Sequence, residues 1–148
     1  MKSIFIGTTI YSLTLCISAC KSVELFRCPI QNASIIFIEK KGAEAAQASL
    51  NAMLVGNGVD VTSISSGYIY RIDSTTGRYD VSIKYKQYIF TYGNLQSILV
   101  RDGLMLNKGD HIGLIGKNDT LELAMIKDGF PQRVQKYLKC NTKTVFVN

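Results

Sequence analysis

The sequence predicts a mainly β protein, an antiparallel β-sandwich or barrel-like sheet with one short N-terminal helix and a C-terminal helical turn. Two observations carry this prediction. From residue 59 onward, apolar and polar residues alternate with the period of two that is typical of half-buried strands. Glycines, most clearly Gly77, Gly103, Gly109 and Gly116, separate the alternating segments. Many short strands joined by glycine turns indicate a sandwich or barrel-like sheet.

The first elements precede the alternating region. Ser34 to Ile38 is an apolar run of strand length. Ala43 to Leu54 is rich in residues of high helix propensity, and its apolar positions recur at helical spacing, so it predicts the N-terminal helix. Gly56-Asn57-Gly58 should end that helix, because glycine and asparagine favour turns.

The later strands follow from alternation between turn signals. They are expected within 59–63, 68–72, 79–85, 88–92, 112–115 and 121–126. The segments 79–85 and 88–92 should pair as a hairpin across Lys86-Gln87. Gln132 to Lys139 predicts one or two helical turns near the C-terminus.

The N-terminus has the pattern of a lipoprotein signal peptide. Lys2 precedes an apolar run, Ile4 to Ala19, which is shorter than the roughly 20 residues that span a bilayer. The run ends in Ile17-Ser18-Ala19-Cys20, a branched apolar residue and two small ones before a cysteine whose sulfur can carry a lipid. We therefore expect cleavage before Cys20 and lipidation of Cys20. The alternatives are a secreted protein cut near Ala19 and an N-terminal membrane anchor.

These features divide the chain into four segments. We expect a signal peptide over 1–19, a tether over 20–32, one β domain over 33–140 and a tail over 141–148. Cleavage would leave Cys28 and Cys140 besides the lipidated Cys20. Outside the cytoplasm two such cysteines are more often bridged than free, so we expect a disulfide between them.

Composition narrows the class of partner. The net charge of +6 is spread along the chain, and the longest basic run is only Lys40-Lys41. A nucleic-acid-binding protein usually concentrates its positive charge, so we expect no nucleic-acid partner. From the lipidation motif we expect the protein to be located in the bacterial cell envelope. Its lipid would hold it to a membrane, either in the periplasm or on the outer face.

From Gly58 onward the chain resembles the lysostaphin/LytM-type zinc endopeptidases that cut peptidoglycan. The resemblance covers about 80 residues and consists of an ordered series of weak matches. GVDVTSISSGYIY (58–70) is similar to the family's G-x-x-V-x-A-x-x-x-G-x-V, and IFTYGNL (89–95) to T-x-Y-x-H-L. VRDGLMLNKGDHIGLIG (100–116) is similar to V-x-x-G-x-x-V-x-x-G-x-x-I-G-x-x-G, and TLELAMIKDG (120–129) to H-L-H-F-E-I-x-x-x-G. The resemblance implies the β fold of that family, the duplicated hybrid motif. Lipoyl-type swivelling domains share this glycine-rich pattern and are the rival for the fold.

The resemblance also implies where a catalytic site would lie. Asn94 stands at the histidine of Y-x-H-L, and Thr120 and Glu122 stand at the two histidines of H-x-H. The family's early H-x-x-x-D has no counterpart, because no histidine precedes His111. We therefore expect no catalytic residues, no zinc and no other cofactor, and we regard Asn94, Thr120 and Glu122 as vestigial site positions.

His111 occupies a variable position of the glycine-rich segment, and we interpret it as a surface residue rather than a ligand. The leading hypothesis is a catalytically inactive LytM-type domain that binds cell-wall peptide or an envelope protein. One alternative is a divergent zinc endopeptidase acting on peptidoglycan, with Glu122 joined by Asp60 or Asp73 as ligands. Another is an unrelated structural or interaction lipoprotein.

Overall fold

Buried and exposed side chains alternate along most of the strands. The computed structural model describes residues 24–38, 50–56 and 59–145. The described strands, in chain order, are β1 (Phe26–Arg27), β2 (Ser34–Ile38), β3 (Ala52–Val55), β4 (Asp60–Thr62), β5 (Gly67–Thr75), β6 (Arg78–Tyr85), β7 (Tyr88–Leu95), β8 (Ser97–Ile98), β9 (Met105–Leu106), β10 (His111–Leu114), β11 (Leu121–Lys127), β12 (Phe130–Gln132), β13 (Leu138–Lys139) and β14 (Asn141–Val145). A 3₁₀ turn, Val134–Tyr137, lies between β12 and β13.

Most described strands join one large open sheet. Its strands follow the order β14-β2-β3-β11-β7-β6-β5-β9, and β12 pairs with β11 as a hairpin. Smaller sheets are formed by β4-β10-β8 and by the β1–β13 pair. The pairs β2–β14 and β1–β13 are parallel, so the architecture is mixed rather than purely antiparallel as the sequence suggested. None of the described residues forms a helix with the length and hydropathy of a membrane span.

The core lies beneath the two central strands. Phe90 and Tyr92 of β7 and Leu121 and Leu123 of β11 are fully buried. Phe26 of β1 packs edge-on against the Phe90 ring, with 4.9 Å between the ring centroids. This contact extends the core to β1. Burying aromatic and branched side chains is the main stabilising contribution to such a fold, at about 25 cal/mol per Å² of apolar surface.

The mainly β fold is confirmed, and so are most of its predicted elements. The apolar run at Ser34 is β2, the hairpin across Lys86-Gln87 joins β6 to β7, and the C-terminal turn is the 3₁₀ turn. The Cys28–Cys140 disulfide is present, with 5.0 Å between the Cα atoms.

The predicted helix is wrong where the structure describes it. Residues 43–49 lie outside the described residues, but Ala52–Val55 is strand β3. Ala52 and Leu54 are buried on one face, and β3 pairs with both β2 and β11. Burial and pairing on both sides outweigh the helix propensity of the segment, which is only a few tenths of a kcal/mol per residue.

Both ends of the described chain belong to the folded unit. Phe26 and Ile30, within the expected tether, are buried in the core. Asn141–Val145, within the expected tail, forms the parallel strand that pairs with β2. The folded unit is therefore longer at both ends than residues 33–140. The disulfide lies between these two end segments and ties them together.

Candidate functional site

A polar groove opens at one end of the central strands β7 and β11. The register places Glu122 opposite Gly93, and Glu122 is exposed because its neighbours Leu121 and Leu123 face the core. A Cβ atom on Gly93 would lie 3.1 Å from Oδ1 of Asp80 and 3.5 Å from the Cβ of Glu122. Glycine therefore lets these two carboxylate side chains flank the strand closely.

A β-bulge shapes the same end of β7. The β6–β7 register shifts between Tyr79 and Val81, so that Asp80 faces both Gly93 and Asn94. Asn94 has a φ of +67°, in the left-handed region that asparagine tolerates better than most residues. Its backbone N–H donates to Oδ1 of Asp80 at 3.1 Å. The bulge thus turns the Asn94 side chain toward β11.

The three positions singled out from the sequence meet in this groove. Nδ2 of Asn94 donates to the backbone oxygen of Thr120 at 2.8 Å. Oε1 of Glu122 accepts a 2.6 Å hydrogen bond from Nδ2 of Asn51. Met53 of β3, beside Glu122, completes this wall.

An ion pair forms part of the other wall. Nη1 of Arg78 lies 2.7 Å from Oδ2 of Asp119, and both side chains are about one-third exposed. Thr75 precedes the turn that leads to Arg78. The groove has a volume of about 290 Å³, and its lining residues are Met53, Thr75, Arg78, Asp80, Asn94, Thr120 and Glu122.

The sequence had pointed to only part of this lining. The lining residues Met53, Thr75, Arg78 and Asp80 were missed, and so was Asn51, which donates to Glu122. The bulge and the pairing of β3 with β11 create these contacts. The alternation of YDVSIKY placed Asp80 on the polar face of its strand, which was the one available signal.

The chain's only histidine does not line the groove. His111 begins β10, is exposed, and lies with Nδ1 3.9 Å from Oδ1 of Asp60. Its interpretation as a surface residue is confirmed. Asp73, the other acid considered as a ligand, pairs instead with Arg71.

The donors in the groove do not suit zinc. Protein zinc sites use cysteine, histidine and carboxylate ligands in a tetrahedral set. Among the described residues no three His, Cys, Asp or Glu side chains come close enough together to hold a metal ion. The carboxylates near the groove accept hydrogen bonds from Asn51 and from the Asn94 backbone.

Tyr92 supports the groove from below. Its side chain is fully buried two residues before Asn94, and its hydroxyl accepts a 3.0 Å hydrogen bond from the backbone N–H of Ile64. Burial raises the pKa of Tyr92 well above its usual value, an effect only partly offset by hydrogen bonds with Ile64 and Ser63. The tyrosine therefore stays neutral and links β7 to the segment that follows β4.

The other tyrosines divide between surface and interior. Tyr68 and Tyr70 are exposed on β5. Tyr88 is buried in the core, and Tyr79 and Tyr85 are partly buried against it. These three tyrosines thus contribute to the packing of half-buried strands, for which tyrosine is well suited.

Comparison with known proteins finds similarity only at the level of three-dimensional structure. The sequence matches no protein-family model and no curated protein. A chain of the SpoIIQ–SpoIIIAH pore-forming complex is 21% identical, with a TM-score of 0.63 over 79% of this chain and 92% of that one. Csd3 of Helicobacter pylori is 17% identical, with a TM-score of 0.65 over 78% of this chain.

A third similar structure is the catalytic domain of a mutant of the prophage-encoded M23 protein EnpA from Enterococcus faecalis. It is 14% identical, with a TM-score of 0.59 over 72% of this chain and 92% of that one. The chain spans about a third of Csd3, at 33% of its length. These similarities show the fold: the chain has the β architecture of the LytM/M23 peptidases, as the sequence resemblance implied.

Proposed function

We propose that this chain is an envelope lipoprotein whose LytM/M23-type fold binds a peptide without cleaving it. The fold is that of a peptidase family, and the observation that carries the proposal is the composition of its groove. The positions that the resemblance assigns to histidines are Asn94, Thr120 and Glu122, and they line one continuous groove. The lipid on Cys20 would hold the domain at a membrane of the envelope.

The charge of the groove favours a ligand with a positive group. The guanidinium of Arg78 is paired with Asp119, so it adds little net charge. Asp80 and Glu122 then leave the groove negative. Cell-wall stem peptides that carry a free side-chain amine have the complementary charge, and their extended backbone suits an open groove between strands.

The central experiment measures binding and hydrolysis together. The purified protein is titrated with a soluble wall stem peptide that carries a free side-chain amine, and with the same peptide acetylated on that amine. We expect the free amine to bind about ten-fold more tightly, which corresponds to roughly 1.4 kcal/mol. We expect no peptide cleavage and no stoichiometric zinc by elemental analysis. Zinc at one equivalent with metal-dependent cleavage would overturn the proposal and establish the divergent endopeptidase instead.

A charge-neutral variant tests the groove itself. Glu122→Gln keeps the oxygen that accepts from Asn51 and removes the charge, so it should weaken amine binding without unfolding the chain. Asp102→Asn is the matched control, because Asp102 is an exposed acid outside the groove. Equal binding by both variants would show that the peptide does not use this groove.

A protein partner is the second candidate for the same groove. The observation that favours it is the similarity to a chain of the SpoIIQ–SpoIIIAH pore-forming complex, which covers 92% of that chain. If this candidate is right, Glu122→Gln should reduce recovery of an envelope protein cross-linked to this chain in cells, whereas wall peptide should not bind.

A further inference from the structure

The chain enters the domain at the end of the sheet opposite the groove. Phe26, two residues after the first described residue, is buried against the ring of Tyr88 at 5.7 Å between centroids. Tyr88 is the first residue of β7, directly after the turn at Lys86-Gln87. The N-terminal entry therefore lies beside the β6–β7 turn.

A second turn adjoins the first. The backbone N–H of Asp128, in the β11–β12 turn, donates to the carbonyl oxygen of Gln87 at 3.0 Å. Phe130 begins β12 on the far side of this turn and pairs with Lys127. The two hairpin turns and the N-terminal entry thus form one surface. We call this surface the basal face and define it by Leu25, Lys84, Lys86, Lys127 and Phe130.

The basal face combines exposed apolar side chains with lysines. Phe130 is 71% exposed and Leu25 is 45% exposed, although both are large and apolar. The Lys86 ammonium lies 4.8 Å from the Tyr85 ring centroid, and the Lys127 ammonium lies 5.4 Å from that of Tyr88. Lysines beside exposed apolar residues are the combination found on proteins that rest on anionic lipid surfaces.

Acidic side chains also lie at this end and reduce its positive charge. Asp128 occupies the second turn, and Glu24 is close enough to Lys86 to affect its pKa. Hydrogen bonding to Tyr85 is the larger cause of the raised pKa of Lys86, and the Glu24 carboxylate adds to it. The three lysines of the basal face outnumber these two acids. Arg27 and Lys139, exposed and paired across β1 and β13, add further positive charge nearby.

The groove lies at the other end of the same strands. Lys127 is opposite Tyr88 in the β11–β7 register, whereas Glu122 is opposite Gly93. Lys127 lies five positions after Glu122 on β11, which corresponds to about 17 Å at the usual strand rise. A ligand in the groove would not touch the basal face.

We propose that the basal face rests on an anionic lipid surface, so that the groove points away from the membrane and toward the wall. This inference rests on the lipid anchor at Cys20 in the proposed function. Only three residues lie between Cys20 and Glu24, so the Cα atoms of these two residues can be at most about 14 Å apart. So short a connection brings the end of the domain that carries Leu25 to the lipid, whichever way the groove faces.

Tryptophan fluorescence can test the orientation, because the chain contains no natural tryptophan. Phe130→Trp places one on the basal face, and Ser74→Trp places one at an exposed position of β5 near the groove end. The full mature lipoprotein is reconstituted in phosphatidylglycerol vesicles that contain brominated lipid, which quenches indoles at the membrane. We expect at least two-fold quenching for Phe130→Trp and none for Ser74→Trp. Equal quenching of the two, or none for Phe130→Trp, overturns the proposal.

Charge reversal tests the role of the lysines. In the Phe130→Trp protein, Lys86→Glu/Lys127→Glu should at least halve the quenching, and Lys108→Glu/Lys117→Glu, on exposed turns elsewhere, should leave it unchanged. Lys86→Gln/Lys127→Gln serves if the reversal unfolds the chain, and it should show a smaller loss. Equal quenching in the basal and control pairs removes the electrostatic basis of the proposal.

The mass of the mature N-terminal residue separates the two proposals. A Cys20 that carries acyl chains together with an unquenched Phe130→Trp means that the anchor is right and the basal face is wrong. A Cys20 without lipid means that the anchor itself fails, and the orientation proposal fails with it.

Discussion

Removal of the Cys28–Cys140 disulfide should cost a large share of the stability of this domain. The bond joins residues 112 positions apart. In the chain-entropy model a cross-link that closes a loop of this length stabilises the folded state by about 5 kcal/mol, because it restricts the unfolded chain. A domain of this size typically has a free energy of unfolding of about 5–15 kcal/mol. The expected loss is therefore between a third and nearly all of the total.

The position of the bond explains why the fold would suffer locally as well. Cys28 directly follows β1, and Cys140 lies between β13 and β14. The β1–β13 pair contains only two residues from each strand, so it has few backbone hydrogen bonds of its own. Without the bond, the parallel β14–β2 pair at the sheet edge should open before the central strands β7 and β11.

Urea unfolding followed by circular dichroism measures the cost. Cys28→Ala/Cys140→Ala should unfold at a much lower urea concentration than the oxidised protein, with a free energy of unfolding lower by about 5 kcal/mol. The oxidised protein treated with a reductant should coincide with the double variant. A difference below about 1 kcal/mol would refute the reasoning, since the closed loop would then contribute little. Two free thiols in protein purified from cells without a reductant would refute it as well.

Two further substitutions test the support of the groove and the packing of a small sheet. Tyr92→Phe removes the hydroxyl that accepts a hydrogen bond from the Ile64 N–H, so that buried donor loses its partner. We expect urea unfolding to show a loss of about 1–3 kcal/mol in the free energy of unfolding. A loss near zero would mean that the donor bonds to water instead. In Gly113→Ala the new Cβ would overlap the carbonyl oxygen of Ser97, whereas in Gly103→Ala it meets open space but keeps a φ of +74°. We expect Gly113→Ala to lower the thermal midpoint more than Gly103→Ala, with losses of about 3 and about 1 kcal/mol in the free energy of unfolding. The reverse order would contradict the packing seen between β8 and β10.

The sequence was most informative where local patterning decides the structure. The alternation in YDVSIKY and the two turn residues after it were enough to place the β6–β7 hairpin, because one face is buried and the other exposed. It was misleading at Ala52–Val55, where a segment of helix formers becomes a strand. That outcome depends on β2 and β11, which lie far from it in the chain, and no local signal reports such pairing.

The candidate site shows the same limit at the level of side chains. Asn94, Thr120 and Glu122 could be singled out because the resemblance supplied their positions, not because asparagine, threonine and glutamate share a chemistry. Arg78 and Asp80 could not, because their place in the groove depends on a bulge that shifts the β6–β7 register by one residue. The extra residue of the bulge lies on β7 and changes which residues of β7 are opposite Asp80, so alternation within β6 cannot predict these neighbours.

The hydrogen bonds within the groove give a physical reason to propose binding rather than hydrolysis. Asn94 keeps its left-handed backbone because asparagine tolerates that conformation, and its amide donates to Thr120. Glu122 accepts from Asn51, so a carboxylate that could have met a metal is held by a neighbouring amide. In a metal site the ligands are oriented toward one ion, and neighbouring groups support that orientation. Here Asn94 is oriented toward the backbone oxygen of Thr120 and Glu122 toward the amide of Asn51, so contacts within the chain account for both orientations. A groove of this kind offers fixed polar groups to a ligand, as the proposed peptide-binding domain on a peptidase fold requires.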